Sequence, residues 1–189
     1  MKTRRERCPR KQQVGAGLIE VLIALLILAI GLLGIAGLQT AAVQTNYLAY
    51  QYTMATRLAE NLAENMRANR EGLLNNDYTL AFGAEPADPG SDCGAASADC
   101  SPAELAAWQL ADWYGMLASP EEAYENAAVS LAEALPSARG SVTCAAPCTD
   151  RSLRVITVYW DAERTGVSGA GCDPDDPDDL QCLRLGVNP

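Results

Sequence analysis

The side chains that could carry chemistry in this sequence are cysteines and carboxylates, because its 189 residues include no histidine. That absence excludes His-dependent triads, general-base catalysis by histidine and the usual zinc sites. Six of the seven cysteines lie between Cys93 and Cys182, and the seventh, Cys8, lies in a basic N-terminal stretch. So many cysteines in a small chain indicate an oxidising compartment, where the even set of six can form disulfides.

Loop length favours pairing between neighbouring cysteines. The predicted disulfides are Cys93–Cys100, Cys144–Cys148 and Cys172–Cys182. Each would close a short loop and contribute about 2–3 kcal/mol to stability. Because the middle loop spans few residues, a crossed pairing of Cys144 or Cys148 with Cys182 is a rival arrangement. Zinc binding by paired cysteines is the functional alternative, but the spacings fit no zinc motif.

A run of aspartates between the last two cysteines is the one cluster that could bind a hard cation. Calcium prefers roughly six to eight oxygen ligands. The five carboxylates available there belong to Asp173, Asp175, Asp176, Asp178 and Asp179. The run has no EF-hand pattern, and its prolines suit a solvated loop closed by a disulfide. We therefore predict no cofactor and no bound metal. The alternative is a calcium ion bound by these five aspartates.

The charge distribution and the absence of catalytic motifs exclude two further classes of function. The formal charge is −10, but the first 15 residues carry six basic side chains and one acidic one, which leaves −15 on the remainder. An acidic body repels phosphate groups, so the sequence predicts no nucleic-acid partner. No nucleophile elbow or phosphate-binding loop is present, and the sequence therefore predicts no enzyme activity.

Glu20 is a carboxylate at the start of a long apolar run. Residues 21–38 carry no polar side chain, and at about 1.5 Å per residue they span about 27 Å, close to the hydrocarbon thickness of a bilayer. The basic residues before the run predict a cytoplasmic N-terminus, with everything after Leu38 exported. A carboxylate costs on the order of 3 kcal/mol at a bilayer centre. In a plain signal-anchored protein with a stalk helix, Glu20 would have no use.

The helical pattern continues past the apolar run. No Gly or Pro occurs between Gly37 and Gly72. Apolar residues recur there at helical spacing, with charged residues between them: Tyr47, Met54, Leu58, Leu62 and Met66. We predict one helix over about residues 17–70, roughly 80 Å long. Its first half is apolar all round and its second half is amphipathic.

The residues around Glu20 also form a recognisable signal. Gly15-Ala16-Gly17-Leu18-Ile19-Glu20, followed by VLIALLILAIGLLGIAGLQ, resembles the class III signal of type IV pilins and type II secretion pseudopilins. The resemblance implies cleavage by a prepilin peptidase after Gly15, N-methylation of Ala16 and a glutamate at the fifth mature position. A cut after Gly17 would leave the glutamate third. The stretch LLILAIGLLGIAGLQ resembles PilV-type minor pilins. Two residues depart from the pattern: Ala16 stands where most pilins have Phe, and Gly37 stands where major pilins have a proline.

The resemblance implies a structural role. Glu20 is expected to pair with the N-terminal amine of a neighbouring subunit and so to set the register of the assembly. The implied function is that of a minor pilin, which with other minor pilins primes assembly of a type IV pilus, sits at its tip and supports twitching motility and adhesion. The alternatives are a minor pseudopilin of a type II secretion system and a tip adhesin subunit.

The resemblance also implies partners and a location. The expected partners are the prepilin peptidase, inner-membrane lipid before assembly, other minor pilins and the major pilin through the N-terminal helix, and a tip adhesin. The chain is expected to cross the inner membrane once, with its N-terminus in the cytoplasm. After assembly, the pilus would carry the head at the cell surface.

Four segments and an α+β fold follow. A basic leader covers residues 1–15, a transmembrane helix segment 16–38, the amphipathic half of the same helix 39–71 and a head domain 72–189. In the pilin-like architecture, the long helix packs on a small antiparallel sheet with short connecting helices.

Within the head, two Ser-Pro capping boxes predict helices that begin after Ser101 and Ser119. The first helix is expected to bury Leu105, Trp108 and Trp113, and the second Val129, Leu131 and Leu135. Residues 153–160, LRVITVYW, are apolar on both faces and predict a central strand. Shorter strands are expected at 141–143 and 183–187.

Mass spectrometry of the mature protein tests the predicted processing. We expect the chain to begin at Ala16 and to carry one N-terminal methyl group, because the signal resembles a prepilin cleavage site. A mature chain that keeps residues 1–15 would contradict the pilin resemblance.

Overall fold

A computed structural model describes residues 17–95, 99–118, 134–173 and 175–189. The fold is α+β, and the chain divides into two compact units, Met1–Thr45 and Asn46–Pro189. The elements in chain order are α1 (Leu18–Ala68), α2 (Arg70–Asn75), α3 (Pro102–Ala118), β1 (Arg139–Cys144), β2 (Arg154–Trp160) and β3 (Gln181–Val187). The predicted combination of a long N-terminal helix and a small antiparallel sheet is confirmed.

The start of α2, directly after α1, is set by a side-chain cap. The Asn69 side chain accepts a hydrogen bond from the N–H of Gly72 and thereby starts α2. The Asn69 Nδ2 donates to the carbonyl of Pro102 at 2.7 Å. A Cβ at Gly72 would lie 2.6 Å from that Nδ2 and 3.0 Å from the Pro102 oxygen, so this junction accepts only glycine without rearrangement. The helical segment therefore breaks at Asn69 and resumes in α2, where we had predicted one helix to about residue 70.

The sheet is antiparallel in the order β1-β2-β3, with β2 central as predicted. Val142 of β1 pairs with Ile156 of β2, which pairs with Leu185 of β3. The last five residues of β2 are buried because that strand has a neighbour on each side and α1 residues beneath it. Both flanking strands are longer than the predicted segments 141–143 and 183–187.

The core of the Asn46–Pro189 unit forms between the second half of α1, α3 and the sheet. The α1 residues that are buried share one helical face: Gln51, Ala55, Leu58, Ala59, Leu62, Ala63 and Met66. Two buried indoles anchor this face. Trp113 Nε1 donates to the Leu58 carbonyl at 2.9 Å, and Trp160 Nε1 donates to Gln51 Oε1 at 3.2 Å. Each indole thus brings its large apolar surface into the core without leaving its N–H unpaired.

Helix α3 begins with the predicted capping box. Glu104 N–H donates to Ser101 Oγ, and Glu104 Oε2 accepts from both the N–H and the hydroxyl of Ser101. The two hydrogen bonds from Ser101 lower the pKa of the Glu104 carboxyl. The box satisfies donors that the first helical turn would otherwise leave unpaired.

The predicted buried face of α3 is wrong in part. Trp113 is fully buried as expected, but Leu105 and Trp108 are only half-buried, and the core instead takes Ala106, Leu110 and Leu117. Trp108 packs against the chain at Gly94, where a Cβ would lie 2.5 Å from its ring. Trp108 therefore contacts the loop that precedes α3 and lies at the rim of the core. Most of the second predicted helix, with Ser119, Val129 and Leu131, lies outside the described residues, while Leu135 is buried.

The contact between α3 and β1 can be tested with two glycines. A Cβ at Gly140 would overlap the Trp113 ring and lie 2.9 Å from Leu117 Cδ1, whereas a Cβ at Gly115 meets nothing within 4 Å. We expect Gly140→Ala to lower the free energy of unfolding by about 1–3 kcal/mol through overpacking. Gly115→Ala, at an exposed helical position, should raise it by about 0.5–1 kcal/mol. Chemical denaturation of the full chain in detergent micelles measures both, and equal effects would contradict the packing described.

Candidate functional site

The first half of α1 is a helix whose apolar surface is uncovered. Every residue from Gly17 to Tyr50 is exposed, including the large apolar side chains from Leu18 to Val43. In the part of the chain that the structure describes, α1 is the one helix long and apolar enough to cross a membrane. An exposed apolar surface of this extent requires a lipid or protein partner.

Glu20 lies in the first turn of this helix, with its N–H bonded to the carbonyl of Gly17 at 2.9 Å. A carboxylate at a helix N-terminus interacts favourably with the helix dipole. The described residues form an ion pair between Arg67 and Glu64, and Glu20 has no cationic partner among them. Gly15 and Ala16, the predicted cleavage and methylation positions, lie outside the described residues.

The six cysteines after the apolar run form three disulfides. They are Cys93–Cys100, Cys144–Cys148 and Cys172–Cys182. These are the three local pairs that loop length favours, and the crossed pairing with Cys182 does not occur. Each bond constrains a loop at the rim of the core: the first lies beside Trp108, the second follows β1, and the third holds the aspartate run against β3.

The aspartate run uses its carboxylates to organise its own backbone. Asp179 accepts from the N–H groups of Gly171 and Asp173, at 3.1 Å each. Asp173 and Asp176 each accept from the N–H two residues further on. These turns spread the carboxylates along the loop, and no group of three potential metal ligands gathers anywhere in the described ranges. The structure therefore does not bring the five aspartates together as a calcium site.

Asp161, directly after β2, is a buried carboxylate that we did not single out in the sequence. Its two oxygens accept from the N–H groups of Thr165 and Gly166, at 3.1 and 2.7 Å, and from the Thr165 hydroxyl. Burial raises the pKa of Asp161, but the hydrogen bonds from Gly166, Thr165 and Arg164 outweigh burial, so the pKa lies below its usual value of 3.8. The Asp161 N–H also donates to the Pro136 carbonyl. The side chain thus organises the turn between β2 and the third disulfide loop.

That turn borders an acidic groove of about 490 Å³. Leu48 and Tyr52 of α1 form one wall, and the Tyr52 hydroxyl donates to Gln181 Oε1 at 3.0 Å. The carboxylates that line the groove belong to Asp161, Glu163, Asp175, Asp176 and Asp179.

Arg154 is a second buried charge that sequence reasoning missed. Its Nη2 donates to the Leu73 carbonyl and to Asn76 Oδ1, at 3.1 and 2.6 Å. Its Nη1 donates to the carbonyls of Thr149 and Ser152. The guanidinium thus joins the C-terminus of α2, where a cation is favoured, to the loop between β1 and β2. The sequence offered one signal for this role, which is a charged residue at the start of a strand of apolar residues.

Two family matches extend along the chain without a gap. Residues 10–36 match the prokaryotic N-terminal methylation motif, and residues 37–111 match the family described as type IV pilin Tt1218. No curated relative and no solved structure matches the chain. Together with the long helix on a small antiparallel sheet, the two matches show that the chain belongs to the type IV pilin family and carries its N-terminal methylation motif. Pilins are structural proteins without enzyme activity.

The lowered pKa of Asp161 predicts a pH-dependent stability. A carboxyl whose pKa is depressed in the folded state stabilises that state above its unfolded pKa, and the contribution is lost as pH falls through the folded pKa. We expect Asp161→Asn to lower the free energy of unfolding by about 1–3 kcal/mol at neutral pH, because the amide cannot accept from all the donors. The difference from wild type should shrink below pH 3.8. Denaturation at several pH values measures it.

Glu163→Gln is the matched control, since Glu163 is exposed two residues away. This variant should keep wild-type stability within about 0.5 kcal/mol. A loss in Asp161→Asn that does not change with pH would contradict the assigned role of the carboxylate charge.

Proposed function

We propose that this chain is a PilV-type minor pilin, which with other minor pilins primes assembly of a type IV pilus and sits at the pilus tip. The observation that carries the proposal is Glu20. It is an exposed carboxylate at the beginning of an uncovered apolar helix, without a cationic partner among the described residues of its own chain.

Assembly changes the surroundings of the Glu20 carboxylate. Near the cytoplasmic membrane surface, the Glu20 carboxylate can remain hydrated. When apolar helices pack around it, the charge loses that water and becomes costly unless an opposite charge replaces it. Cleavage after Gly15 would create a new amine at Ala16, and the amine of a neighbouring subunit would supply that charge. Only helices with the correct stagger would then associate stably.

The chain would meet its partners in a fixed order. The prepilin peptidase removes residues 1–15 and methylates Ala16 while the helix is held in inner-membrane lipid, with the head exported. The first half of α1 then exchanges lipid for the helices of the other minor pilins and the major pilin. The assembled subunit supports twitching motility and adhesion, with a tip adhesin as a further partner.

A minor pseudopilin of a type II secretion system is the alternative, because it shares the same leader. The continuation GLLGIAGLQ and the match to a type IV pilin family over residues 37–111 favour the pilus. Deletion of the coding sequence separates the two functions. Loss of twitching with intact protein secretion supports the pilin role, and the reverse result supports the pseudopilin.

A head that binds a host surface or glycan through its aromatic residues has less support. Trp113 and Trp160 are fully buried, and Tyr78 is 1% exposed. Burial raises the pKa of Tyr78 to about 12, as expected for a phenol within the core. Trp108 is half-buried beside Gly94. Among the described residues of the head, Trp113, Trp160 and Tyr78 thus belong to its core.

Glu20→Ala tests the assembly role of the carboxylate. The variant should insert into the membrane as well as wild type, because a costly charge has been removed. Loss of one partner from a buried ion pair costs about 3–5 kcal/mol, so we expect incorporation into pili to fall at least about tenfold. Immunoblots of the membrane fraction and of sheared pili measure the two steps separately.

Glu60→Ala removes an exposed carboxylate from the second half of α1 and serves as the control. It should leave both insertion and incorporation unchanged. Wild-type incorporation of Glu20→Ala would refute the proposed pairing and return the chain to a plain membrane anchor.

A further inference from the structure

The three disulfides share one property: each joins two cysteines that follow one another along the exported chain. Their sequence separations are 7, 4 and 10 residues. No bond passes over an intervening cysteine, so the first exported cysteine pairs with the second, the third with the fourth and the fifth with the sixth.

We propose that this chain is a substrate for a thiol–disulfide oxidase that joins cysteines adjacent along the chain, and that it needs no disulfide isomerase. In each step, a cysteine thiolate of the chain attacks the oxidase disulfide and forms a mixed disulfide. The next cysteine of the chain then attacks that mixed bond. The chain loses two electrons and two protons, and the oxidase leaves as a dithiol.

Loop closure favours these pairs over the bonds that would join neighbouring loops. The competing pairs Cys100–Cys144 and Cys148–Cys172 are separated by 44 and 24 residues. Closure probability falls with about the 3/2 power of loop length, so Cys93–Cys100 is favoured over Cys100–Cys144 by roughly fifteenfold. On the same basis, Cys172–Cys182 is favoured over Cys148–Cys172 by roughly fourfold.

The folded head is compatible with the same three pairs. The Cα atoms of the three pairs are 6.0, 5.6 and 5.5 Å apart, within the range that a disulfide spans. All six residues are partly or fully exposed, and the described hydrophobic core contains no cysteine. An oxidase can therefore reach each pair whether or not the core has already formed. The inference requires export of the head and is independent of the choice between pilin and pseudopilin.

The test oxidises the reduced, denatured full chain in detergent micelles. The background substitution Cys8→Ser leaves the six cysteines of the head. A purified thiol–disulfide oxidase is added with or without a disulfide isomerase, and peptide mass spectrometry under non-reducing conditions counts the pairs. We expect the three native pairs with oxidase alone and no increase in their yield with isomerase. A severalfold increase with isomerase would overturn the proposal.

A decoy cysteine provides the matched control. Ser168 is exposed and lies four residues before Cys172, so Ser168→Cys should divert Cys172 from Cys182 by roughly fourfold on loop length. For this variant, isomerase should restore the Cys172–Cys182 bond, whereas Ser168→Ala should behave as wild type. If Ser168→Cys also forms native pairs without isomerase, spacing along the chain does not direct the pairing, and the proposal fails.

Discussion

An apolar helix surface that the described residues of its own chain leave uncovered governs the behaviour of this pilin. The exposed side chains from Leu18 to Val43 gain free energy from any apolar surroundings, whether lipid or other helices. That attraction has no direction and selects no register. Glu20 adds the missing constraint, because a charge within apolar surroundings is tolerated only opposite a partner. In the proposed assembly, burial of apolar surface drives association, and the pairing of one carboxylate sets the register between subunits.

The head is stabilised by the opposite arrangement, in which the chain covers its own apolar surface. From Gln51 onward, one face of α1 packs beneath the sheet, and two indole N–H groups join helix to head. Outside this core the loops contain many small and acidic residues that bury little surface. The disulfides, the Asp161 turn and the Arg154 contacts stabilise those loops where apolar packing cannot.

Features that depend on neighbouring residues were predictable. The long helix follows from periodicity, the Ser101 capping box from local hydrogen bonding, and the central position of β2 from apolar residues on both faces of the strand. Loop length selected the same three cysteine pairs that the structure contains. The prediction failed where a residue outside the helix intervened: the chain at Gly94 contacts Trp108 at the rim of the core, and no periodicity in α3 contains that information.

The sequence by itself determined the membrane-length helix, the position of Glu20 and the methylation motif, because each depends only on consecutive residues. Only the tertiary structure decided what its buried polar groups do. Arg154 meets Leu73 across 81 positions, and Trp160 meets Gln51 across 109. From the sequence alone, a polar side chain is expected at the surface. Folding can instead bury it and remove its hydration. Its role then depends on which donors and acceptors the fold brings beside it, and that is a property of three-dimensional packing.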